Sequence, residues 1–239
     1  MSSAPATVVL VHGAWHGSWC WERVVRELAA RGVTARTLDL PSVGGAPGES
    51  LTSDAAAVRK VIDAERGPVV LCGHSYGGMV ISLAAAASER VARLIYLCAF
   101  VPEDGQSLVT TGGGGELAPW ICHNADGSTI PDLTRAPELF FGDCDPPTQA
   151  WAVGKLRPQR PEAFSEPVPQ PAWRRIDSTF IVCAQDGAMP PELQRGVFAP
   201  RARRVIELDA GHSPFLSQPV ALAATLAAEA ARAGAHSPP

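Results

Sequence analysis

Lysine is nearly missing: Lys60 and Lys155 are the only two, and arginine carries the rest of the basic charge, a bias of base composition that says nothing about function. Positive charge is also not in surplus. With Lys and Arg totalling 20 against 24 Asp and Glu, and a formal net charge of -4, nothing favours gripping a phosphate backbone, so no nucleic-acid partner is expected. The six cysteines (Cys20, Cys72, Cys98, Cys122, Cys144, Cys183) form no CxxC pair, and three of them sit in or beside apolar runs. Buried free thiols are therefore expected rather than disulfides or metal ligands. No apolar run approaches the roughly 18 residues of a membrane span. The start, Met-Ser-Ser-Ala-Pro-Ala-Thr, lacks the basic and apolar regions of a signal peptide, so a cytoplasmic protein with no membrane partner is expected. There is no internal repeat. A chain of 239 residues that is 46% hydrophobic and 18% charged suits one folded α/β domain with a substantial insertion.

What is present centres on residues 70–80, where the apolar run Val70-Leu71-Cys72 meets Gly73-His74-Ser75-Tyr76-Gly77 and then an Ala-rich helical pattern. A serine inside G-x-S-x-G, between strand and helix, sits on a strained turn that only small flanking residues permit. Such a serine needs a histidine to take its proton and a carboxylate to orient that histidine.

In chain order, Thr7 to Val11 reads as a buried strand leading into the loop His12-Gly13-Ala14-Trp15-His16-Gly17. A helix ending at Gly32 follows, then a strand over Val33 to Leu38, a Gly/Pro-rich loop, and a helix over Asp54 to Glu65. Pro68 to Cys72, Tyr76 to Ala87 and Val91 to Cys98 continue as strand, helix, strand. After Phe100 the rhythm breaks into glycines (Gly112 to Gly115), prolines and helix fragments such as Ala136 to Phe141 and Thr148 to Leu156. It resumes with a strand over Ser178 to Cys183, a helix through Phe198, a strand over Arg203 to Leu208 and a closing helix over Pro219 to Ala233. The alternation predicts an α/β fold: a mostly parallel, doubly wound sheet of about six strands, with residues 1–101 and 172–239 as core and 102–171 as a small inserted cap.

Ligands of open parallel sheets gather at the carboxyl ends of the strands, where this reading puts Ser75, Asp186 and His212. Their order along the chain suits Ser75 as nucleophile, Asp186 as the orienting acid and His212 as the base. Glu103 and Asp104 are rival acids, while Asp143 and Asp145 read as a turn and helix cap rather than a metal pair. The backbone N–H groups of Ala14 and Tyr76 are the expected oxyanion donors. His12, Gly13, Trp15, Trp120, Phe140 and Trp151 are candidates for contact with substrate, the last three as part of an aromatic roof that also includes Phe141 and Phe164.

Together the segments 11–21, Leu38-Asp39-Leu40-Pro41, 73–78, 183–190 and 211–216 resemble the α/β-hydrolases, within them the branch of plant methylesterases, hydroxynitrile lyases and bacterial esterase relatives. The resemblance covers nearly all of the core and little of the cap. It implies the α/β-hydrolase fold and carries nucleophile, acid and base onto Ser75, Asp186 and His212, with Ala14 and Tyr76 as oxyanion hole. It implies hydrolysis of a small-molecule ester through an acyl-serine, without metal or organic cofactor, and allows a homodimer. The lyases of the branch carry threonine and lysine where this chain has Gly13 and Ser213, which argues against cyanide release. A cyclase or lactonase using the same acyl-serine, and a ligand receptor on the same scaffold, are the alternatives.

Overall fold

The computed structural model describes residues 6–111 and 117–234. The glycines Gly112 to Gly115 and the tail from His236 lie outside the described residues.

β1 (Thr7–Val11) is buried at every position, as its unbroken β-branched and aliphatic sequence requires of a central strand. α1 (Glu22–Ala30) follows, burying Val24 and Leu28 on one stripe, and leads to β2 (Ala35–Thr37). α2 (Leu51–Ala64), β3 (Val69–His74), α3 (Gly77–Ala84) and β4 (Val91–Leu97) complete the first half. Between β4 and the next core strand lie α4 (Leu108–Thr111), β5 (Ile121–His123), β6 (Thr129–Pro131), α5 (Ala136–Phe141), α6 (Pro146–Val153) and α7 (Glu162–Ser165). The core resumes with β7 (Ser178–Cys183), α8 (Pro191–Leu193), β8 (Arg204–Leu208), α9 (Pro214–Ser217) and α10 (Pro219–Gly234).

The main sheet has six strands in the order β2-β1-β3-β4-β7-β8, and every neighbouring pair is parallel. α1 packs against α10 and α2 against α3, giving a helical layer on each face. The architecture is the α/β-hydrolase fold, wholly rather than mostly parallel in its main sheet. The strand order turns back beside β1 and β3, the crevice where open sheets of this kind hold ligands.

Several elements differ in their bounds from the sequence reading, α3 and α6 among them, and three of the differences have a visible cause. β2 is three residues long because this edge strand pairs only with Val8, Val9 and Leu10 of β1. α2 begins a turn earlier, at Leu51, because Ser50 and Ser53 close a reciprocal capping box in which serine stands where glutamate is usual. The helix expected through Phe198 stops at Leu193 and gives way to a π-helical turn over Gln194–Phe198. There Gln194 is drawn inward, its amide accepting from Cys183 N and donating to Met189 O.

The β4–β7 segment folds back over the sheet's carboxyl edge. Gly44 N donates to Pro158 O, Arg160 N to Ser42 O and Arg157 N to Trp15 O, stitching residues 157–160 onto two core loops. Among the described residues no helix is long and apolar enough to cross a membrane.

Gly78 shows how tightly the centre is packed: a Cβ there would lie 2.1 Å from Phe100 O and 2.9 Å from Ala99 Cβ, whereas one on Gly196 meets nothing within 4 Å. Gly78→Ala is expected to destabilise by about 3 kcal/mol in urea unfolding, with Gly196→Ala inside about 0.5 kcal/mol. Equal stability of the two variants would contradict the packing described.

Candidate active site

β3 delivers Ser75 at a turn whose backbone is left-handed, φ 52°, in a residue that is not glycine. Such a conformation persists only where surroundings over-determine it. Here Ser75 N donates to Leu97 O, and Ser75 O accepts from both Gly78 N and Phe100 N. A Cβ on Gly73 would come within 2.4 Å of Gly77 O, and one on Gly77 within 2.7 Å of Val11 O, so glycine alone lets β1, β3 and α3 meet there. Tyr76 is the N-cap of α3, and neither its N–H nor that of Ala14 has an acceptor among the described residues.

β7 and β8 deliver the other two side chains. His212 Nδ1 lies 2.7 Å from Asp186 Oδ2, and both residues are buried. Asp186 is held on all sides: Oδ1 accepts from Ala188 N and Met189 N at 2.8 Å each, and Oδ2 also accepts from Gln194 Nε2 at 2.9 Å. With Nδ1 committed to Asp186, the imidazole nitrogen left for a reacting group is Nε2. His74 Nε2 donates to His212 O at 2.8 Å and Asp143 Oδ2 accepts from Gly211 N at 2.7 Å, so the loop carrying His212 is tied on two sides.

Ser75 and His212 line one cavity of about 90 Å³ together with Ala14, Trp15, Tyr76, Phe100, Leu108, Trp120, Phe140, Met189 and Leu193. Among the described residues, no Asp, Glu, Lys or Arg lines it. Trp15 stands edge-on to Trp120 with ring centres 5.7 Å apart, and Phe140 lies 5.7 Å from the His212 ring.

His12 and Trp151, expected against substrate, lie elsewhere. His12 is buried with Nδ1 donating to Gly13 O and Nε2 accepting from Leu40 N, so it braces the loop after β1. Trp151 is 41% exposed on the outer surface, edge-on to Trp19 at 5.2 Å. Gly13 does not line the cavity but backs it, since a Cβ there would meet His74 Nδ1 at 2.7 Å and Ser75 Cβ at 3.0 Å. Of the roof aromatics, Phe141 and Phe164 are wholly buried packing residues. The rival acids are occupied far from the base: Glu103 pairs with Arg174 and Arg201, and Asp104 accepts from Gln170 N. Asp145 caps α6 through Thr148 N, as expected, whereas Asp143 reaches the base's loop.

One grouping of possible metal ligands arises among the described residues: His74, Cys98 and His212, with ligand atoms within 4.8 Å of one another. It does not fit a metal. His74 Nε2 bonds His212 O, His212 Nδ1 bonds Asp186, and burial pushes the Cys98 thiol well above its ordinary range, so no thiolate is offered.

Sequence motifs could not announce Gln194, Asp143 or Leu108 as parts of this site, because no local pattern links them to the elbow; Met189 was present only within the 183–190 segment. His16, in the loop after β1, was visible only as part of its Gly-rich motif.

Residues 8–225 match the alpha/beta hydrolase family. The chain is 30% identical over 233 residues to the alpha/beta hydrolase nvfD of Aspergillus novofumigatus, covering 89% of this chain and 91% of that one. It is 43% identical over 112 residues to a carbendazim hydrolyzing esterase of a Nocardioides species, a match of 44% of this chain and 46% of the relative. The crystal structure of a pyrethroid hydrolase from Sphingobium faniae superposes with a TM-score of 0.80 at 28% identity, over 95% of this chain and 97% of that one. This chain belongs to the alpha/beta hydrolase family. It is an esterase-type hydrolase.

Three histidines around the cavity are neutral by burial. Desolvation takes His12 from an ordinary 6.5 down to about 4, His16 to about 3, and His74 well below 6.5. Between pH 6.5 and 4 the unfolded chain therefore binds protons that the folded chain refuses, so their contribution to stability is complete above pH 6.5 and is lost as pH falls. Asp54, raised by burial to about 6, acts in the opposite direction between its ordinary 3.8 and 6. Unfolding free energy should fall as pH drops from 6.5 to 4, and His16→Phe should flatten that slope by about 1 kcal/mol per pH unit. An unchanged slope would contradict a buried neutral His16.

Proposed function

We propose that the chain is a serine esterase in which Ser75 Oγ attacks the carbonyl carbon of a small to medium apolar ester. His212 Nε2 takes the serine proton, and Asp186 holds the ring in the Nδ1–H tautomer and stabilises the imidazolium that forms. The N–H groups of Ala14 and Tyr76 receive the oxyanion, where a lost donor typically costs roughly 3 to 4 kcal/mol of barrier. The imidazolium returns its proton to the leaving alkoxide, and a water deprotonated by His212 releases the acid from acyl-Ser75. Neither step calls on a metal or an organic cofactor.

The observation that carries this reading is the convergence of Ser75 and His212 on one cavity, with His212 already bonded to a fully satisfied Asp186. The absence of Asp, Glu, Lys and Arg from the described lining supports an apolar ester, since an anionic substrate would find no fixed counter-charge among those residues. Residues 102–171 act in this account as the cap, its Trp120 and Phe140 forming the roof while Trp151 stays outside. The relatives named for hydrolysing carbendazim and pyrethroids support ester-like substrates. We place the protein in the cytoplasm on its six unpaired cysteines.

The purified protein should hydrolyse p-nitrophenyl acetate and butyrate faster than the octanoate, because the cavity is about 90 Å³. Ser75→Ala should lower turnover by roughly 10⁴-fold or more. Turnover that survives in the variant would overturn the assignment of Ser75.

A further inference from the structure

Five residues make one continuous hydrogen-bonded chain; one end, Trp15, directly follows the proposed oxyanion donor Ala14, and the other end, Tyr76, is itself the second proposed donor. Trp15 N donates to Gln159 Oε1 at 3.0 Å, Gln159 Nε2 donates to Ser42 Oγ at 2.9 Å, and Ser42 Oγ donates to Asp54 Oδ2 at 2.6 Å. Tyr76 Oη closes the chain by donating to the same Asp54 oxygen at 2.7 Å, and Ser42 N donates to Oδ1 at 2.9 Å. Gln159, Ser42, Asp54 and Tyr76 are all buried. Every donor faces an acceptor, with both arms of the chain donating toward the Asp54 carboxylate, and each member leaves an unsatisfied buried group if its neighbour is removed.

Trp15 follows Ala14 directly and has a left-handed backbone, φ 60°, which a bulky residue adopts only under constraint. The constraint is visible. Its N–H is taken by Gln159, its carbonyl accepts from Arg157 N, and its indole Nε1 donates to Thr129 Oγ1 at 3.3 Å. Gln159 is itself fixed by a reciprocal backbone pair with Thr129, 2.7 and 2.8 Å. All of Trp15's partners thus come from the 102–171 insertion, 114 to 144 residues away in sequence. At the other end, Tyr76 supplies the second donor through its backbone while its hydroxyl grips Asp54 of α2.

We infer that Gln159 is a positioning residue of the hydrolysis, holding the Ala14 and Tyr76 N–H groups at a fixed separation through Ser42, Asp54 and the Tyr76 hydroxyl. This rests on the esterase reading above and adds to it a role for the insertion: it completes the oxyanion hole as well as roofing the pocket. Gln159 touches no reacting atom in this account. Its effect is confined to the transition state, where the two donors bear the developing charge, so it acts on kcat rather than on substrate affinity.

The test is a double-mutant cycle on p-nitrophenyl butyrate with Gln159→Met and Tyr76→Phe, which cut the same chain at different links, at a temperature where each variant is folded by circular dichroism. Wild-type turnover lost in Ser75→Ala is established first, so failure of the esterase reading appears there and not in the cycle. Each single variant is expected to lower kcat about 10- to 100-fold with KM within about threefold. The double variant should lose little more than the worse single one, because a cut chain cannot be cut again. The inhibition constant of an alkyl trifluoromethyl ketone, whose adduct carries the same oxyanion, should rise in parallel with the loss of kcat/KM. Should Gln159→Met not fold, Tyr76→Phe carries the test through the same kcat and inhibitor readouts. Lowered melting temperature with unchanged kcat, a loss confined to KM, or fold losses that multiply in the double variant would each overturn the inference.

Discussion

A left-handed Ser75 between a buried strand and a buried helix is the constraint on which the rest of the molecule depends. The conformation is costly for a residue with a side chain, on the order of 1 to 3 kcal/mol, and it endures because β1, β3, β4 and α3 close around it. Three glycines make that closure physically admissible, since a Cβ on Gly73, Gly77 or Gly78 would press within 2.7 Å of a backbone oxygen. The parallel sheet, its helical layers and the two backbone bonds accepted by Ser75 O all serve to hold one hydroxyl at the mouth of an uncharged cavity.

Around that point residues 102–171 do more than cover the pocket. Asp143 of the β4–β7 segment bonds the loop before His212, and Gln159 bonds the loop after β1. Two short stretches of the β4–β7 segment therefore brace different loops of the site. The buried histidines His12, His16 and His74 are kept neutral by desolvation, so none of them places a second positive charge near His212. Asp186 is fixed in orientation, with four donors on its two oxygens leaving it no freedom to rotate.

Much of this was legible in the residues. Continuous apolar runs such as Thr7 to Val11 and the Gly-x-Ser-x-Gly turn announce a parallel core, because their signals are local and their physics is short-range. The Ser75, Asp186 and His212 positions follow from the rule that ligands gather at strand carboxyl ends. What escaped has no local pattern. Asp54, a helix residue like any other in sequence, is the buried acceptor of three hydrogen bonds, and Gln159 lies 144 residues from the N–H it receives. Aromatic content was equally silent about direction, since Trp120 faces the cavity while Trp151 faces solvent. The short β2 and the π-helical turn at Gln194 were set by pairing partners and buried amide bonds that appear only once the sheet is assembled.

The most direct measurement is mass spectrometry of the protein quenched in acid during turnover of p-nitrophenyl butyrate, followed by peptide mapping. The account predicts a single butyryl adduct on the peptide containing Ser75, absent from Ser75→Ala and accumulating when His212→Ala slows deacylation more than acylation by the activated ester. An adduct on another residue, or hydrolysis by a Ser75→Ala protein that still releases butyrate, would contradict it.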